Sequence, residues 1–288
     1  MNSDTKLICP ICRGRSVTKF WAMPGYRLAR CKKCGMVWDY FPPENLRAQY
    51  DKSYFNNDNP KGGYANYFEG MAINKKTFSE RLKKIEKKYG KGRLLDVGCA
   101  LGDCLVEANK LGWKDAEGLE VSDYAYEFAK KRGLKILVGS LNEKNFEENT
   151  FGVVLYQDVI EHITNPLEEL KKVFRILKPK GIIYIVTPDI EGLWSKLLGP
   201  LWYHYKPIEH VSYFSQNTIK KALNNAGFVN ISSSKTYHVL SIEYIISRLK
   251  YYLPFLFEIF LGIVKKTPLR LITFRTYTGE LEAWGQKP

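Results

Sequence analysis

The chain has 288 residues, with 45% apolar and 26% charged side chains, a globular composition that excludes an intrinsically disordered protein. Lys and Arg outnumber Asp and Glu by 44 to 30, a net charge of +14. No apolar run reaches the roughly 18 residues of a transmembrane helix, and residues 1–6 hold no apolar secretory segment, so a cytoplasmic location is expected. The charge is uneven: residues 1–50, 51–90 and 191–288 carry +6, +4 and +6, while residues 91–190 carry −2. Basic flanks suit nucleic acid, an anionic membrane or a phosphorylated substrate, and they also describe simple solvated lysines.

Four cysteines open the chain as Cys9-Pro10-Ile11-Cys12 and Cys31-Lys32-Lys33-Cys34-Gly35. Two C-x-x-C knuckles at this separation complete a tetrahedral thiolate site for a structural Zn²⁺, with Cys9, Cys12, Cys31 and Cys34 as ligands. An Fe–S cluster or redox pairs are the rival readings. With four thiolates the zinc has no open position for catalysis. Its role is to fold a segment too small for its own core, a zinc ribbon over residues 1–43. Cys99 and Cys104 stand apart and read as buried or cofactor-adjacent residues.

Phe41-Pro42-Pro43 ends the ribbon. Residues 44–70 form an aromatic linker with Tyr50, Tyr54, Phe55, Gly62-Gly63-Tyr64, Tyr67 and Phe68, and residues 71–89 suit an amphipathic helix. From residue 91 strands alternate with helices. Strands are expected at 93–97, 116–121, 134–138, 151–156 and 182–186. Helices are expected after 102, after Ser122 or Asp123 as cap, after Asn165-Pro166 and after Ser215, with Pro179 ending the third. Strands that are apolar throughout imply a parallel sheet covered on both faces, so the fold class is α/β, doubly wound and Rossmann-like.

The turn after the first of these strands reads Asp96-Val97-Gly98-Cys99-Ala100-Leu101-Gly102-Asp103. A dinucleotide fingerprint would need glycine at 100 and 103, where Ala and Asp stand, and a carboxylate at that helix start would repel a pyrophosphate. Asp96 adds a second acid, and Glu120 ends the next strand where a ribose-binding acid belongs. A close-approach loop with two acids suits a cationic cofactor without phosphate, such as S-adenosylmethionine.

On these residues the chain resembles the class I S-adenosylmethionine-dependent methyltransferases over roughly residues 70–288. Asp96, Gly98 and Gly102 match the D-x-G-x-G-x-G loop, and Glu120 matches the ribose acid. Ser140 replaces the acid usually found after the third strand. Gln157-Asp158-Val159-Ile160-Glu161-His162 looks like the D-V-x-E-H motif of one branch, and Pro207 to Ser215 looks like that branch's P-x-x-H-x-x-x-F-S element. Residues 50–67 look like its segment closing over the cofactor. The resemblance implies a mostly parallel seven-stranded sheet. It implies cofactor contacts at Asp96, Gly98, Cys99, Ala100, Gly102, Glu120, Val121, Ser140, Leu141, Gln157 and Asp158. It also implies a sugar, lipid-linked or other small acceptor.

Asp158, Glu161 and His162 converge if their turn is helical. His162 and His210 are the candidate general bases, with His210 the first choice. The alternatives are that Glu161 and His162 orient the loop by hydrogen bonds, or that a divalent cation is held there, as in some relatives. Residues 239–266 are strongly apolar and read as a cap on the acceptor site, with peripheral membrane contact through 239–264, or a dimer face, as alternatives. Two other functions stand beside a small-molecule methyltransferase. One is RNA methylation using the ribbon and basic surface; absence of an N-P-P-[YF] run, and of a dense basic cluster interleaved with aromatics, argues against nucleic acid. The other is a non-catalytic scaffold, against which the intact loop and Glu120 argue.

Overall fold

The apolar segments of the middle of the chain pair edge to edge because that satisfies backbone groups that must be buried. A computed structural model describes residues 7–23, 26–56, 67–206, 209–249 and 253–288. Gly62, Gly63 and Tyr64 of the expected closing segment, and Pro207 and Ile208, lie outside the described residues.

The ribbon contains β1 (Val17–Met23), β2 (Tyr26–Cys31) and β3 (Val37–Asp39), followed by α1 (Lys52–Asn56) and the long α2 (Tyr67–Tyr89). The alternating region is β4 (Leu94–Val97), α3 (Asp103–Lys110), β5 (Ala116–Glu120), α4 (Asp123–Lys131), β6 (Ile136–Val138) and β7 (Phe151–Gln157). It continues through α5 (Pro166–Ile176), β8 (Leu177–Pro188), α6 (Leu193–Leu198), β9 (Ser212–Tyr213), α7 (Gln216–Asn225) and β10 (Val229–Lys235). An excursion of β11 (His238–Ser241), α8 (Ile242–Leu249), α9 (Pro254–Lys265) and β12 (Thr273–Thr276) precedes the last strand, β13 (Glu280–Gln286).

The large sheet runs β10-β13-β8-β7-β4-β5-β6. β4 pairs in parallel with β5 on one side and β7 on the other, so the strand order reverses at β4. Ligands bind at such a switch point, beyond the carboxyl ends of the strands. β13 runs antiparallel between β8 and β10, which makes the sheet mostly parallel.

Local signals explain most helix ends. Ser122 accepts from Ala125 N at 3.3 Å and caps α4. Ser215 and Thr218 form a reciprocal capping box at α7, with Ser215 N donating to Thr218 Oγ1 at 2.7 Å. Asn165 occupies the cap position of α5 without a side-chain cap bond, and Pro166 follows it at the first turn. Pro179 does not end α5. The helix stops at Ile176, and Pro179 falls in the exposed, irregular beginning of β8, where the pairing register with β7 shifts between Phe151 and Val153.

The ribbon is not packed on itself alone. β3 pairs antiparallel with β9, so its sheet is completed by a strand from the other end of the chain. Ile11, Met36 and Trp38 are buried in one cluster with Phe214, Ile219 and Leu223. Lys221 Nζ donates to Cys34 O at 3.2 Å and Asn225 Nδ2 to Ile11 O at 3.2 Å. A segment with so little apolar surface gains stability by sharing a larger core. The apolar run expected as one cap is interrupted: β11 and β12 pair as an antiparallel stem, and α8 and α9 fold back on each other beyond it.

Trp38→Ala tests the shared core. Removing this buried ring should cost about 3–5 kcal/mol in denaturant unfolding of the whole chain. A transition for the large sheet that does not move would show that the ribbon folds separately.

Candidate active site

The turn between β4 and α3 is built from left-handed backbone. Gly98, Ala100 and Gly102 have φ of +68°, +47° and +83°. A Cβ on Gly98 would lie 2.5 Å from Val159 Cγ2, and one on Gly102 would lie 2.3 Å from Leu134 Cδ1. The glycines are therefore required both by backbone angle and by close approach. Ala100 accepts the strained angle where the family has its middle glycine. Its N–H donates to Glu120 Oε2 at 2.8 Å, and Ser122 N donates to Oε1 at 2.8 Å. Each carboxylate oxygen keeps acceptor capacity for a hydroxyl.

Asp96 and Glu120 are both buried beside this turn. Burial pushes the Asp96 carboxyl up to about 7, against hydrogen bonds from Cys104 and Gln157. Burial also raises Glu120, opposed by the amides of Ser122, Ala100 and Val121. Asp103, expected to repel a phosphate, has a different role. Its buried carboxylate is paired with Arg132 Nη2 at 2.8 Å, so its charge is met within the protein. Cys99 contributes backbone to the turn while its side chain packs into the core beside Gly118. Cys104 is buried and accepts from Gln157 Nε2 at 3.3 Å.

Beyond β6, Leu141 is buried and Ser140 N donates to Glu143 Oε2 at 2.9 Å. Glu143 thus brings a carboxylate next to the position where Ser140 stands in for an acid. Arg47 from the linker reaches Glu143 at 3.3 Å and Asp123 at 3.7 Å. Neither Arg47 nor Glu143 was singled out from the sequence: Glu143 lies three residues past the expected place, and Arg47 is distant in the chain. Tyr50 joins the same side. Its carbonyl accepts from Ser122 Oγ at 2.5 Å and its hydroxyl lies 3.0 Å from His162 Nδ1. Phe55 packs with Leu101 and Ala125. The described part of the closing segment therefore lies against the glycine turn.

After β7, Asp158 takes a φ of +57° and a single 3-10 turn spans Ile160–His162. The structure brings Glu161, His162 and His210 together, one ligand atom of each lying within 4.8 Å of the others, and Asp158 is not among them. Thr187 Oγ1 donates to Glu161 Oε2 at 2.9 Å. The His162 Nδ1 lies 2.9 Å from Glu209 O, so an Nδ1–H donor there leaves Nε2 as a free acceptor. His210 is buried, and its Nδ1 has no hydrogen-bond partner among the described residues. Burial holds His162 down at about 3 and His210 well below the usual histidine range. Both rings are therefore neutral at physiological pH.

A second polar network was not foreseen. Arg81, buried on α2, donates to Gln157 Oε1 at 3.1 Å and lies 3.0 Å from His238 Nε2. His238 contacts Glu280, and His204 lies 3.9 Å from the same carboxylate. Burial opposes the charge of Glu280, but His238, His204 and Arg81 outweigh it and hold the carboxyl down at about 2. Asp158 is raised to about 7 by burial and by Glu280. Arg81 sits on a helical face whose apolar spacing hid it among core positions.

The four ribbon cysteines converge as expected, with Sγ atoms within 4.8 Å of one another. Cys9 and Cys34 lie 3.4 Å apart and Cys12 and Cys31 3.5 Å apart, near the about 3.8 Å edge of a tetrahedron with Zn–S bonds of about 2.3 Å. Backbone amides of Ile11 and Cys12 address Cys9, that of Gly14 addresses Cys12 and that of Met36 addresses Cys34. The ribbon also touches the histidine loop: Asp39 N donates to Val211 O at 2.8 Å, and Val211 N donates to Glu161 O at 2.9 Å.

A profile of the methyltransferase-domain family matches residues 67–233. The demethylmenaquinone methyltransferase of Staphylococcus aureus is 26% identical over 178 residues, covering 52% of this chain and 74% of the relative. A methyltransferase of Thermotoga maritima shares the fold, with a TM-score of 0.52 and 19% identity over 77% of this chain and 94% of that one. Haemonchus contortus phosphoethanolamine N-methyltransferase 2, solved with S-adenosylhomocysteine, gives 0.55 and 17% over 86% and 62%. The chain belongs to the methyltransferase-domain family and is a class I S-adenosylmethionine-dependent methyltransferase.

Gly98→Val should abolish S-adenosylmethionine binding, because the side chain meets Val159 and opposes the positive φ. Glu120→Ala should weaken it tenfold or more, given about 1.5–3 kcal/mol for each charge-assisted hydrogen bond lost. Calorimetry checks both, and wild-type affinity in either variant would reject this placement of the cofactor.

Proposed function

We propose that the enzyme moves a methyl group to a small-molecule or lipid-linked acceptor lying between Asp158, His162, His210 and the 239–266 insertion. The observation that carries this is the convergence of the Glu161, His162 and His210 side chains on loops that follow β7 and precede β9, where a parallel sheet presents ligands. The S. aureus relative, named for a small acceptor, supports the same class.

S-adenosylmethionine supplies an already activated sulfonium methyl, so positioning accounts for most of the rate. The residues proposed to hold the cofactor are Asp96, Gly98, Cys99, Ala100, Gly102, Glu120, Val121, Ser140, Leu141, Gln157 and Asp158. Cys99 contributes through its backbone. Asp96 and Glu120 face the cationic groups and the ribose hydroxyls. Val121, Ser140 and Leu141 flank the ends of the neighbouring strands. Arg81 fixes Gln157, and the ionised Glu280 next to it gives the acceptor side a fixed polar wall.

If the acceptor is a hydroxyl, its proton must leave as the bond forms. His210 takes that proton in this reading, and His162 is its neighbour, with ring centroids 4.8 Å apart. Because burial keeps both rings neutral, the rate should show no histidine titration near the ordinary value of 6.5. A second reading has Glu161, His162 and His210 holding a divalent cation, favoured by the partnerless buried His210 Nδ1. In the ribbon, Cys9, Cys12, Cys31 and Cys34 bind one structural Zn²⁺, with no catalytic part.

His210→Ala should lower kcat by about 10²–10⁴-fold with little change in cofactor affinity. Near wild-type turnover would remove His210 from the reaction, and loss of a bound divalent ion would favour the metal reading. Metal analysis should find about one zinc per chain, reduced in Cys31→Ser together with stability. A metal-free, fully folded protein would contradict the zinc assignment. Salt-dependent retention on RNA with methylation of that RNA would replace the small acceptor by nucleic acid.

A further inference from the structure

The insertion between β10 and β13 carries more exposed apolar surface than a cap needs. In α9, Phe255, Ile259 and Ile263 recur at every fourth position and are 84%, 53% and 54% exposed. Leu253, Phe260, Leu269, Ile272 and Phe274 of the same insertion are exposed as well. Folding of a soluble surface would place such residues inward. Among the residues of α9 whose exposure is described, Val264 is the buried one, and Phe255 and Ile259 point away from it.

The charges around this face are mostly basic. Residues 242–272 contain five basic and two acidic residues, Glu243 and Glu258 being the acids. Lys265 and Lys266 close α9 and are exposed, and Arg270 follows them, also exposed. No helix among the described residues is long and apolar enough to cross a membrane. An apolar helix face of this length, ended by cations, lies in the plane of an interface.

At the base of the insertion, Trp194 Nε1 donates to Tyr277 O at 2.9 Å, tying α6 to it. α6 itself exposes Leu193 and Leu197. The stem joins the acceptor side directly: His238 begins β11 and contacts Glu280 at the start of β13.

We propose that α9 and the segment following it dock the enzyme on an anionic lipid bilayer, with Phe255, Ile259 and Ile263 among the acyl chains and Lys265, Lys266 and Arg270 at the headgroups. Charge complementarity points to this occupant: the exposed cations Lys265, Lys266 and Arg270 at one end of the apolar face match anionic headgroups. The proposal does not depend on the identity of the acceptor. It places the acceptor side near the bilayer, so a lipid-soluble acceptor would be met where it resides.

The test is co-sedimentation of the full chain with phosphatidylcholine vesicles, with and without phosphatidylglycerol. Binding should require phosphatidylglycerol and weaken as salt rises. The double variant Phe255→Glu/Ile263→Glu should lose at least about tenfold in vesicle affinity while its circular dichroism and melting midpoint stay unchanged. Lys265→Glu/Lys266→Glu, a milder surface change, should lose the preference for phosphatidylglycerol. Wild-type protein that ignores both vesicles, or variants that bind as well as wild type, would overturn the proposal. So would a wild-type dimer that the Phe255→Glu/Ile263→Glu variant turns into a monomer.

Discussion

Two carboxylates buried beside one left-handed turn set the terms for the rest of the molecule. Asp96 lies near the end of β4, two residues before Gly98, and Glu120 ends the neighbouring strand with both oxygens accepting backbone amides. Hydrogen bonds to amides orient Glu120 but do not neutralise it, and burial acts against the charge of both groups. A site of this kind is completed by a cation. Asp96 and Glu120 beside this turn suit a cation better than a pyrophosphate.

The ribbon matters to that site through backbone, not through metal chemistry. Its third strand pairs with β9, and the amide of Asp39 reaches Val211, whose own amide holds Glu161. His210 precedes this strand by two residues. Two successive backbone hydrogen bonds thus join β3 to the histidine loop, each of them between elements far apart in sequence. The shared cluster of Trp38, Met36, Phe214 and Ile219 makes the connection stiff.

Much of this was legible in the residues. Apolar strands spaced by helical segments point to the parallel sheet, and Gly98, Gly102 and Glu120 mark the left-handed turn and the acid beside it, because local spacing encodes them. The knuckle cysteines were equally plain. Long-range contacts were not. Arg81 lies on an otherwise ordinary amphipathic helix, and its bond to Gln157 spans 76 positions. Arg47 and Glu143 meet across 96 positions. The pairing of β3 with β9 carries no signal in a two-residue strand. Asp103 was read by its position at a helix start, whereas its partner Arg132 decides its role. Pro179 was read as a helix stop, whereas the chain turns into β8 before reaching it.

The central claim is that buried negative charge at Asp96 and Glu120 binds the cationic cofactor. Calorimetric titration with S-adenosylmethionine, repeated in two buffers of different ionisation enthalpy, tests it most directly. Burial pushes the Asp96 carboxyl up to about 7, and a cation beside it favours the carboxylate and drives a proton off. The account predicts proton release on binding near pH 7 and an affinity that rises from pH 5.5 toward pH 8 (about one pH unit or more on either side of that group). Binding that is independent of pH over this range and releases no proton, or no binding at all, would contradict it.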